Sequence, residues 1–338
     1  MRIVIDGFGG DNSPNETVLG ACLAIEKNAD IEIIITGNEE KIKQVLSKNN
    51  ICQPNRLKIV HASEIIENED DPIAAVKTKK ESSLAIGLKL VSNGDADAIV
   101  SAGNTGALLT GATLIIKRIK GIKRAALAPI VPTLTGSSII VDVGANAECK
   151  PEFFPQFGIM GSIYASEILG IKNPKVGLIN IGVEEHKGTE TVLSAHHLLK
   201  ETKNISFIGN IEARDLLNGQ ADVLVSDGWT GNIALKTIEG TASALMKLLK
   251  GVFYKNIFTK LATLVLKNGL TDFKKKFDHE EAGGAPLLGL NAPVIKAHGS
   301  AGRLAFANAI LFANSFCEKE VCRIISEKVA EAGSTLND

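Results

Sequence analysis

The sequence lacks paired cysteines and an excess of charge of either sign. Its five cysteines are widely spaced and form no CxxC pair, so we expect reduced thiols in a cytosol and no disulfide framework. The formal net charge is -1, and neither a basic tail nor an arginine-rich arm is present. This charge balance argues against nucleic acid as a partner.

Long apolar runs are also missing. No run of apolar residues reaches the roughly 18 residues that a membrane-spanning helix needs. A strand predicted at Ile3–Ile5 leaves no room for a signal peptide, so we expect a cytoplasmic protein. With 338 residues, 45% hydrophobic residues and 32 glycines, the composition is typical of a soluble enzyme. Since no repeat or linker is visible, we predict a single domain over residues 1–338.

Several motifs of nucleotide and hydrolase chemistry are incomplete. A dinucleotide fingerprint is suggested by Gly7–Asn12, but its last position is Asn, and Asp11 would repel a pyrophosphate. A P-loop fails at Leu235, where glycine should precede Lys236. No GxSxG elbow and no HExxH occur, and we expect neither a cofactor nor a metal.

Two further candidates have ordinary interpretations. Cys149 follows a glycine-containing loop, but it has no histidine nearby in sequence to lower the pKa of its thiol, so a nucleophilic role is disfavoured. His196 and His197 are adjacent on a predicted helix, where neighbouring side chains diverge. We interpret them as surface or packing residues.

Short apolar runs recur along the chain, and most are followed by a helical pattern. Such runs predict buried strands that alternate with helices, which is typical of a mostly parallel sheet covered on both faces. We therefore predict a three-layer α/β/α fold. The predicted strands are Ile3–Ile5, Ile33–Ile35, Leu57–Val60, Ala98–Val100, Ile139–Val141, Val176–Ile179, Ile205–Ile208 and Val223–Val225.

The ends of these strands are chemically alike, because glycine accompanies Asp, Asn, Ser or Glu at each. Ligands of such sheets bind beyond the carboxyl ends of the strands, so six polar turns on the same edge of one sheet predict a shared polar cleft. The turns are Asp6–Asp11, Ser101–Gly106, Asp142–Asn146, Asn180–Glu185, Gly209–Asn210 and Ser226–Asn232.

The stretch Ser101–Ala107 (SAGNTGA) is the most informative of these turns. It joins the apolar strand Ala98–Val100 to an apolar helix at residues 108–116. Unpaired amides at such a helix start favour a phosphate or an oxyanion. A tight connection that uses glycine and serine only for geometry remains the alternative.

Lysines lie beside several of these turns. Lys79 and Lys80 precede a serine pair, Lys187 follows the sixth strand, and Lys296 stands close to His298 before another helix. Each lysine alone is consistent with a solvated surface charge. Their repeated position beside glycine-rich strand ends favours a phosphate-bearing ligand.

The composition changes at residues 244–281, where leucine, phenylalanine and lysine replace the glycine-rich turns. On a helical wheel the apolar residues fall on one arc and lysines on the other, so the segment fits either a membrane interface or a packed helix. The candidate membrane contacts are Phe253, Ile257, Phe258, Leu261 and Leu264.

Taken together, these segments resemble the PlsX family of bacterial phosphate acyltransferases, and they span nearly the whole chain in order. The departures from the family pattern are Phe8, Ala213 and Ala282. The matching segments are Asp6–Asp11, Lys79–Ser83, Ser101–Ala107, Asp142–Asn146, Val176–Gly182, Lys187–Gly188, Asp227–Asn232, Gly283–Gly289 and Lys296–Ser300.

The resemblance implies a fold similar to isocitrate and isopropylmalate dehydrogenases and to phosphotransacetylases. It implies transfer of a fatty acyl group from acyl carrier protein to inorganic phosphate, as a step of phospholipid synthesis. It also implies a homodimer at an anionic membrane surface on the inner face of the cell membrane. The acyl phosphate would then pass to an acyl-phosphate:glycerol-3-phosphate acyltransferase.

On this reading we expect phosphate to attack the thioester directly. Lysines offset the negative charges, amides orient the substrates, and a histidine protonates the leaving group. The candidate catalytic residues are Asn104, Lys187, Lys296 and His298. The candidate substrate-binding residues are Ser101, Gly103, Thr105, Asn146, Asn180, Asp227, Asn232 and Lys80.

Three alternatives stay open at this point. A phosphotransacetylase-like enzyme would use a short acyl-CoA, but it would not need the apolar, basic segment. A nicotinamide-dependent dehydrogenase would need the missing nucleotide fingerprint. A membrane-surface scaffold for acyl carrier protein would bind without turnover.

Overall fold

The computed structural model describes residues 1–256, 259, 266, 269 and 283–334. Within these residues, twelve strands form two sheets, one of seven strands and one of five. The strands are β1 (Arg2–Asp6), β2 (Glu32–Gly37), β3 (Leu57–His61), β4 (Ala98–Ser101), β5 (Ala126–Leu127), β6 (Ile130–Pro132), β7 (Ser137–Val141), β8 (Lys175–Asn180), β9 (Ser206–Glu212), β10 (Val223–Val225), β11 (Ala285–Leu288) and β12 (Val294–Lys296).

Helices connect most of these strands. A short 3-10 helix, Ala213–Asp215, follows β9. The α-helices are α1 (Asn15–Lys27), α2 (Glu39–Lys48), α3 (Pro72–Thr78), α4 (Ser83–Ser92), α5 (Thr105–Ile115), α6 (Phe153–Leu169), α7 (Glu190–Glu201), α8 (Gly228–Phe253), α9 (Arg303–Glu318) and α10 (Val321–Ser334).

Both sheets are mostly parallel. The larger sheet has the strand order β3-β2-β1-β4-β12-β11-β5, with antiparallel pairing only at β11. The smaller sheet has the order β6-β7-β10-β8-β9, with antiparallel pairing only between β6 and β7. Parallel strands end at the same edge, so each sheet has one edge at which its carboxyl ends, and their loops, are gathered.

Three apolar clusters account for the layers. One lies between the larger sheet and α1, α2 and α9, and includes Ile3, Ile33 and Phe306. Another lies between the smaller sheet and α6 and α10, and includes Phe157. The central cluster contains Val4 and other residues of the larger sheet together with residues of the smaller sheet. Burial of this cluster joins the two sheets.

The predicted α/β fold with mostly parallel strands is confirmed, and all eight predicted strands are present. They belong to two sheets, so the prediction that the polar turns share one sheet is wrong. The polar turns after β1 and β4 belong to the larger sheet, and those after β7, β8 and β10 belong to the smaller one. Gly209–Asn210 lies inside β9 instead of at its end. The change of composition at residue 244 falls within α8, which begins at Gly228.

Candidate active site

The carboxyl edge of the larger sheet is organised by the buried side chain of Asp6 at the end of β1. Its Oδ1 accepts a hydrogen bond from the Ser83 hydroxyl at 2.6 Å, and its Oδ2 accepts one from the Ser101 hydroxyl at 2.7 Å. Burial raises the pKa of Asp6, and the two hydroxyl donors oppose that shift. A Cβ at Gly9 would lie 2.5 Å from Oδ2, so glycine is required there.

The Ser101–Ala107 turn leads into α5, as predicted. Asn104 is the N-cap: its Oδ1 accepts from the Ala107 N–H at 3.0 Å, and its Nδ2 donates to the Asn68 carbonyl oxygen at 3.0 Å. Among the described residues, the N–H groups of Thr105 and Gly106 have no acceptor. The start of α5 therefore presents two unpaired donors and the positive end of a helix dipole.

Lys296 ends β12 and lies opposite Ser101 in the parallel pairing with β4. Its Nζ donates to the carbonyl oxygens of Ala102 at 2.9 Å and Ala297 at 2.6 Å. Burial lowers the pKa of Lys296 to about 8, against the attraction of Asp6, which raises it. The ammonium group is thus cationic at neutral pH and begins to lose its proton in mildly alkaline solution.

His298 is exposed just beyond β12. Its Nδ1 accepts from the Ser300 N–H at 3.2 Å and lies 2.8 Å from the Ser300 hydroxyl. Because a backbone N–H can only donate, Nδ1 must carry a lone pair, and the proton of the neutral ring is assigned to Nε2.

The carboxyl edge of the smaller sheet is organised in the same way by the buried Asp142 after β7. Its Oδ1 accepts from the Leu127 N–H at 2.9 Å, and its Oδ2 accepts from the Asn146 N–H at 2.6 Å. The Asn146 side-chain Nδ2 donates to the Ala125 carbonyl oxygen at 2.8 Å. These bonds tie the loop after β7 to the segment that carries β5 of the larger sheet.

The first turn of α8 packs against this loop. Asp227 is the N-cap and accepts from the Thr230 N–H at 2.7 Å, while the Gly228 N–H donates to the Asn146 carbonyl oxygen at 2.8 Å. A Cβ at Gly231 would overlap the Asp142 carbonyl oxygen, so this close approach requires glycine.

The next strand of the smaller sheet carries Lys187 on the loop that follows β8. The buried Asn180 holds this loop, because its Nδ2 donates to the Lys187 carbonyl oxygen at 2.9 Å. The Lys187 side chain is exposed. Within the described residues, no carboxylate lies within 4.0 Å of its Nζ, so the ammonium group is available to a ligand.

Lys236 of α8 lies close enough to the larger sheet for its charge to act on Lys296. Repulsion from Lys236, on the third turn of α8, also lowers the pKa of Lys296. The hydrogen bond from Leu127 to Asp142 provides a second connection. The two carboxyl edges are thus neighbours, although they belong to different sheets.

The predicted site residues fall into three groups. Ser101, Gly103, Asn104, Thr105, Lys296 and His298 lie at the edge of the larger sheet; Asn146, Asp227 and Asn232 lie around Asp142; and Asn180 and Lys187 share one loop. The Lys80 side chain is exposed. Of the predicted membrane contacts, Phe253 ends α8, whereas Ile257, Phe258, Leu261 and Leu264 lie outside the described residues.

Sequence reasoning missed Asp6 as an organising carboxylate, because its partners Ser83 and Ser101 come from distant parts of the chain. It was right to disfavour Cys149, since burial raises the pKa of that thiol to about 12.

In the part of the chain that the structure describes, no helix is both long enough and apolar enough to cross a membrane.

Solved structures with a similar fold show which class of protein shares this architecture. A phosphotransacetylase from Streptococcus pyogenes aligns with a TM-score of 0.63 and 20% identity, covering 93% of each chain. A branched-chain phosphotransacylase from Enterococcus faecalis aligns with a TM-score of 0.58 and 15% identity, covering 94% of this chain and 99% of that one. The chain therefore has the fold of the phosphotransacylases.

Sequence relatives define the family. Residues 1–324 match the model described as fatty acid synthesis protein. A phosphate acyltransferase of Alkaliphilus oremlandii is 54% identical over 333 residues, covering 98% of each chain, and one of Thermoanaerobacter pseudethanolicus is 46% identical over 337 residues, covering 100% of each. The chain belongs to the phosphate acyltransferase family and is an enzyme that transfers acyl groups to phosphate.

Proposed function

We propose that this enzyme transfers a long-chain fatty acyl group from acyl carrier protein to inorganic phosphate, which yields acyl phosphate for phosphatidic acid synthesis. The observation that carries the proposal is the position of Lys296 beside the start of α5, where a lysine and two unpaired N–H groups offer charge and donors to one phosphate. The proposal takes its reaction type from the family.

In this mechanism a phosphate oxygen attacks the thioester carbonyl carbon. A C–O bond forms, the C–S bond breaks, and its electron pair leaves with the pantetheine sulfur. His298 would give a proton to that sulfur from its Nε2, the ring nitrogen that carries the hydrogen. Lys187 is available to offset the oxyanion or the negative charge of the donor.

Asn104 has a more specific role in this scheme than direct binding of phosphate. Both ends of its amide are engaged, by the Ala107 N–H and by the Asn68 carbonyl oxygen. We therefore assign it to hold the first turn of α5 in place, so that Thr105 and Gly106 present their N–H groups to the phosphate. Gly103 and Ser101 support the same turn through a 3.1 Å hydrogen bond.

Exposed apolar side chains favour a long acyl chain over an acetyl group. Ile181 is 80% exposed and Val183 is 60% exposed on the loop of Lys187, and Trp229 and Ile233 are exposed at the start of α8. β8 and β10 are paired neighbours, so these side chains follow adjacent strands. A fatty chain would cover such a surface, whereas a short acyl group would leave it in water.

We also propose that the enzyme is a cytoplasmic homodimer that associates peripherally with the inner face of the membrane. The exposed Leu245, Leu248 and Val252 follow helical spacing on α8. Lys247 and Lys250 lie on the same helix, where they would approach anionic head groups. This arrangement would deliver acyl phosphate close to an acyl-phosphate:glycerol-3-phosphate acyltransferase.

The first experiment is an assay of acyl phosphate formation, with hydroxylamine as the trap. Purified protein is given phosphate and either palmitoyl acyl carrier protein or palmitoyl-CoA, with acetyl-CoA as a third donor. We expect product that depends on phosphate and is formed fastest from the carrier protein. Faster reaction with acetyl-CoA would favour the phosphotransacetylase alternative, and no product with any donor would favour the scaffold.

A further inference from the structure

We propose that His196, a buried residue of α7, is a positioning residue for the loop that carries Lys187, and that it acts through Asn210. The inference rests on the proposed function, because it gives Lys187 a role in the reaction. The two residues are 14 positions apart and come from α7 and from β9. Neither was a predicted catalytic or substrate-binding residue, although Asn210 belongs to one of the predicted polar turns.

The central contact is a carbonyl oxygen shared by two donors. The Glu184 carbonyl oxygen accepts from the Asn210 Nδ2 at 2.9 Å and from the Lys187 N–H at 3.2 Å. The Asn210 Oδ1 in turn lies 2.9 Å from the Nδ1 of His196. A chain of three hydrogen bonds therefore leads from His196 to the backbone of Lys187.

These contacts determine the orientation of the Asn210 amide and the tautomer of His196. A carbonyl oxygen can only accept, so the NH₂ group of Asn210 must face Glu184, and its Oδ1 must face the histidine. That oxygen also only accepts, so Nδ1 of His196 carries the proton. If His196 lost this donor, the buried Oδ1 of Asn210 would be left unpaired.

A bulge in β9 makes the arrangement possible. β9 pairs with β8 so that Val176 lies opposite Phe207 but Leu178 lies opposite Asn210, which gives β9 one extra residue. Gly209, with φ at +95°, takes up this extra residue. Phe207 and Asn210 both contact His196, with ring centroids of Phe207 and His196 5.1 Å apart. A regular strand would place residues three apart on opposite faces.

Lys187 is thus held at both of its backbone groups. Its N–H reaches Glu184 and, through that carbonyl, Asn210 and His196, while its carbonyl oxygen accepts from Asn180. The other polar contact of His196 is weaker, because Glu185 Oε1 lies 3.7 Å from its Nε2 and also pairs with Lys200. The Asn210 contact is therefore the main connection.

The chain contains a matched control in the adjacent histidine. The His196 side chain is 7% exposed and that of His197 is 70% exposed, where it pairs with Glu201 on the same helix. A His→Leu substitution at either position removes the same imidazole group from the same helix, α7. Only His196 contacts Asn210, so the positions differ in the feature that the proposal requires.

The test compares His196→Leu, His196→Asn and His197→Leu, each alone and combined with Lys187→Ala. Asn places an amide N–H near the position of Nδ1, so we expect it to restore most of the activity. We expect His196→Leu to lower kcat by about tenfold or more through misplacement of Lys187, with little change in KM for phosphate. His197→Leu should leave both unchanged.

The double variant separates positioning from general stability. If His196 acts through Lys187, His196→Leu should cause no further loss in the Lys187→Ala background. An equal further loss there, or full activity of His196→Leu, would overturn the proposal. Should His196→Leu fail to fold, Asn210→Asp serves instead, because it replaces the donor to Glu184 by an oxygen of nearly the same shape.

A second readout does not depend on activity. Trypsin cuts after Lys187 only when the loop can unfold locally, and the rate of this cut is followed by mass spectrometry. We expect faster cutting in His196→Leu and Asn210→Asp than in His197→Leu. Equal rates in all three would overturn the positioning role. A wild-type protein that forms no acyl phosphate would instead refute the proposed function, while the cutting rates would still test the loop.

Discussion

At the scale of single residues, the charge of Lys296 depends on its surroundings. Two carbonyl oxygens accept from its Nζ, and the Asp6 carboxylate lies close enough to attract it. Burial outweighs these favourable contacts and lowers the pKa of Lys296 to about 8. The site therefore holds a cation that a modest rise in pH removes.

We predict that the KM for phosphate rises as the pH increases through about 8, because Lys296 then loses the charge that attracts the anion. In Lys296→Arg this alkaline rise should disappear, since guanidinium stays protonated. In Lys296→Met the KM should be about tenfold higher or more at every pH. Initial rates between pH 6.5 and 9.5 provide the measurement, and a wild-type KM independent of pH would contradict it.

The lowered pKa of Lys296 also makes the free energy of unfolding depend on pH. Between about pH 8 and the value near 10.4 for an unfolded lysine, the unfolded chain binds more protons at this position than the folded one. The Lys296 contribution is therefore unfavourable below pH 8, and the stability of the wild type relative to Lys296→Met should increase across that range. Chemical unfolding at pH 7.5 and 9.5 measures the difference.

At the scale of elements, α8 offers a comparison between two of its glycines. A Cβ at Gly231 would overlap the Asp142 carbonyl oxygen, whereas nothing lies within 4 Å of a Cβ at Gly240. We expect Gly231→Ala to lower the free energy of unfolding by about 1–3 kcal/mol. We expect Gly240→Ala to raise it by about 0.5–1 kcal/mol. Urea unfolding checks both, and equal effects would show that α8 does not press on the β7 loop.

A second prediction at this scale concerns the exposed leucines of α8. Leu248 is 70% exposed in the protein. Leu248→Asp should weaken binding to anionic vesicles, because a carboxylate would replace the apolar side chain that inserts into the membrane. Ser243→Asp adds the same charge to an exposed position of the same helix and should weaken binding less. Sedimentation with phosphatidylglycerol vesicles measures both. Equal loss would mean that charge alone, and no insertion, controls the association.

Periodicity predicted the strands that are apolar and continuous, such as those around Ile34 and Ile99. It missed β5, β6, β11 and β12, which have two to four residues each and include Pro132 and Pro286. It also could not divide the strands between two sheets, because pairing such as that of β12 with β4 joins residues nearly 200 positions apart. Such pairing leaves no local pattern in the sequence.

The candidate site was predictable where its chemistry is local. The turn from β4 into an apolar helix follows from neighbouring residues, and the structure confirms it, with Asn104 as the N-cap of α5. The partners of Asp6 are 77 and 95 positions away in the chain, so the sequence alone indicated only that Asp6 lies at a strand end. His196 was interpreted as a surface or packing residue because its contact with Asn210 depends on a bulge.

At the scale of the whole molecule, the central apolar cluster is shared by both sheets. It includes Val4 and Ile99 of the larger sheet and Ile140 and Leu224 of the smaller one. Removal of either sheet would expose the same buried surface. On the basis of this shared core we propose that the two sheets act as one domain.

We therefore expect both sheets to unfold together. The single tryptophan of the chain, Trp229, lies on α8 beside the smaller sheet, so its fluorescence reports on one part of the molecule, whereas circular dichroism reports on all of it. The two urea transitions should coincide within error. Separate transitions would mean that the larger sheet persists after the smaller one has unfolded, and would count against one cooperative domain.

The geometry of α8 has a mechanical consequence. Its 26 residues form a rod of about 39 Å, which is pinned at one end, where Gly228 and Gly231 press on the loop of Asp142. A tilt of about 5° around that pin moves the far end by about 3 Å. The helix can therefore act as a lever, and a force on its exposed leucines would also apply torque to the loop that holds Asp142.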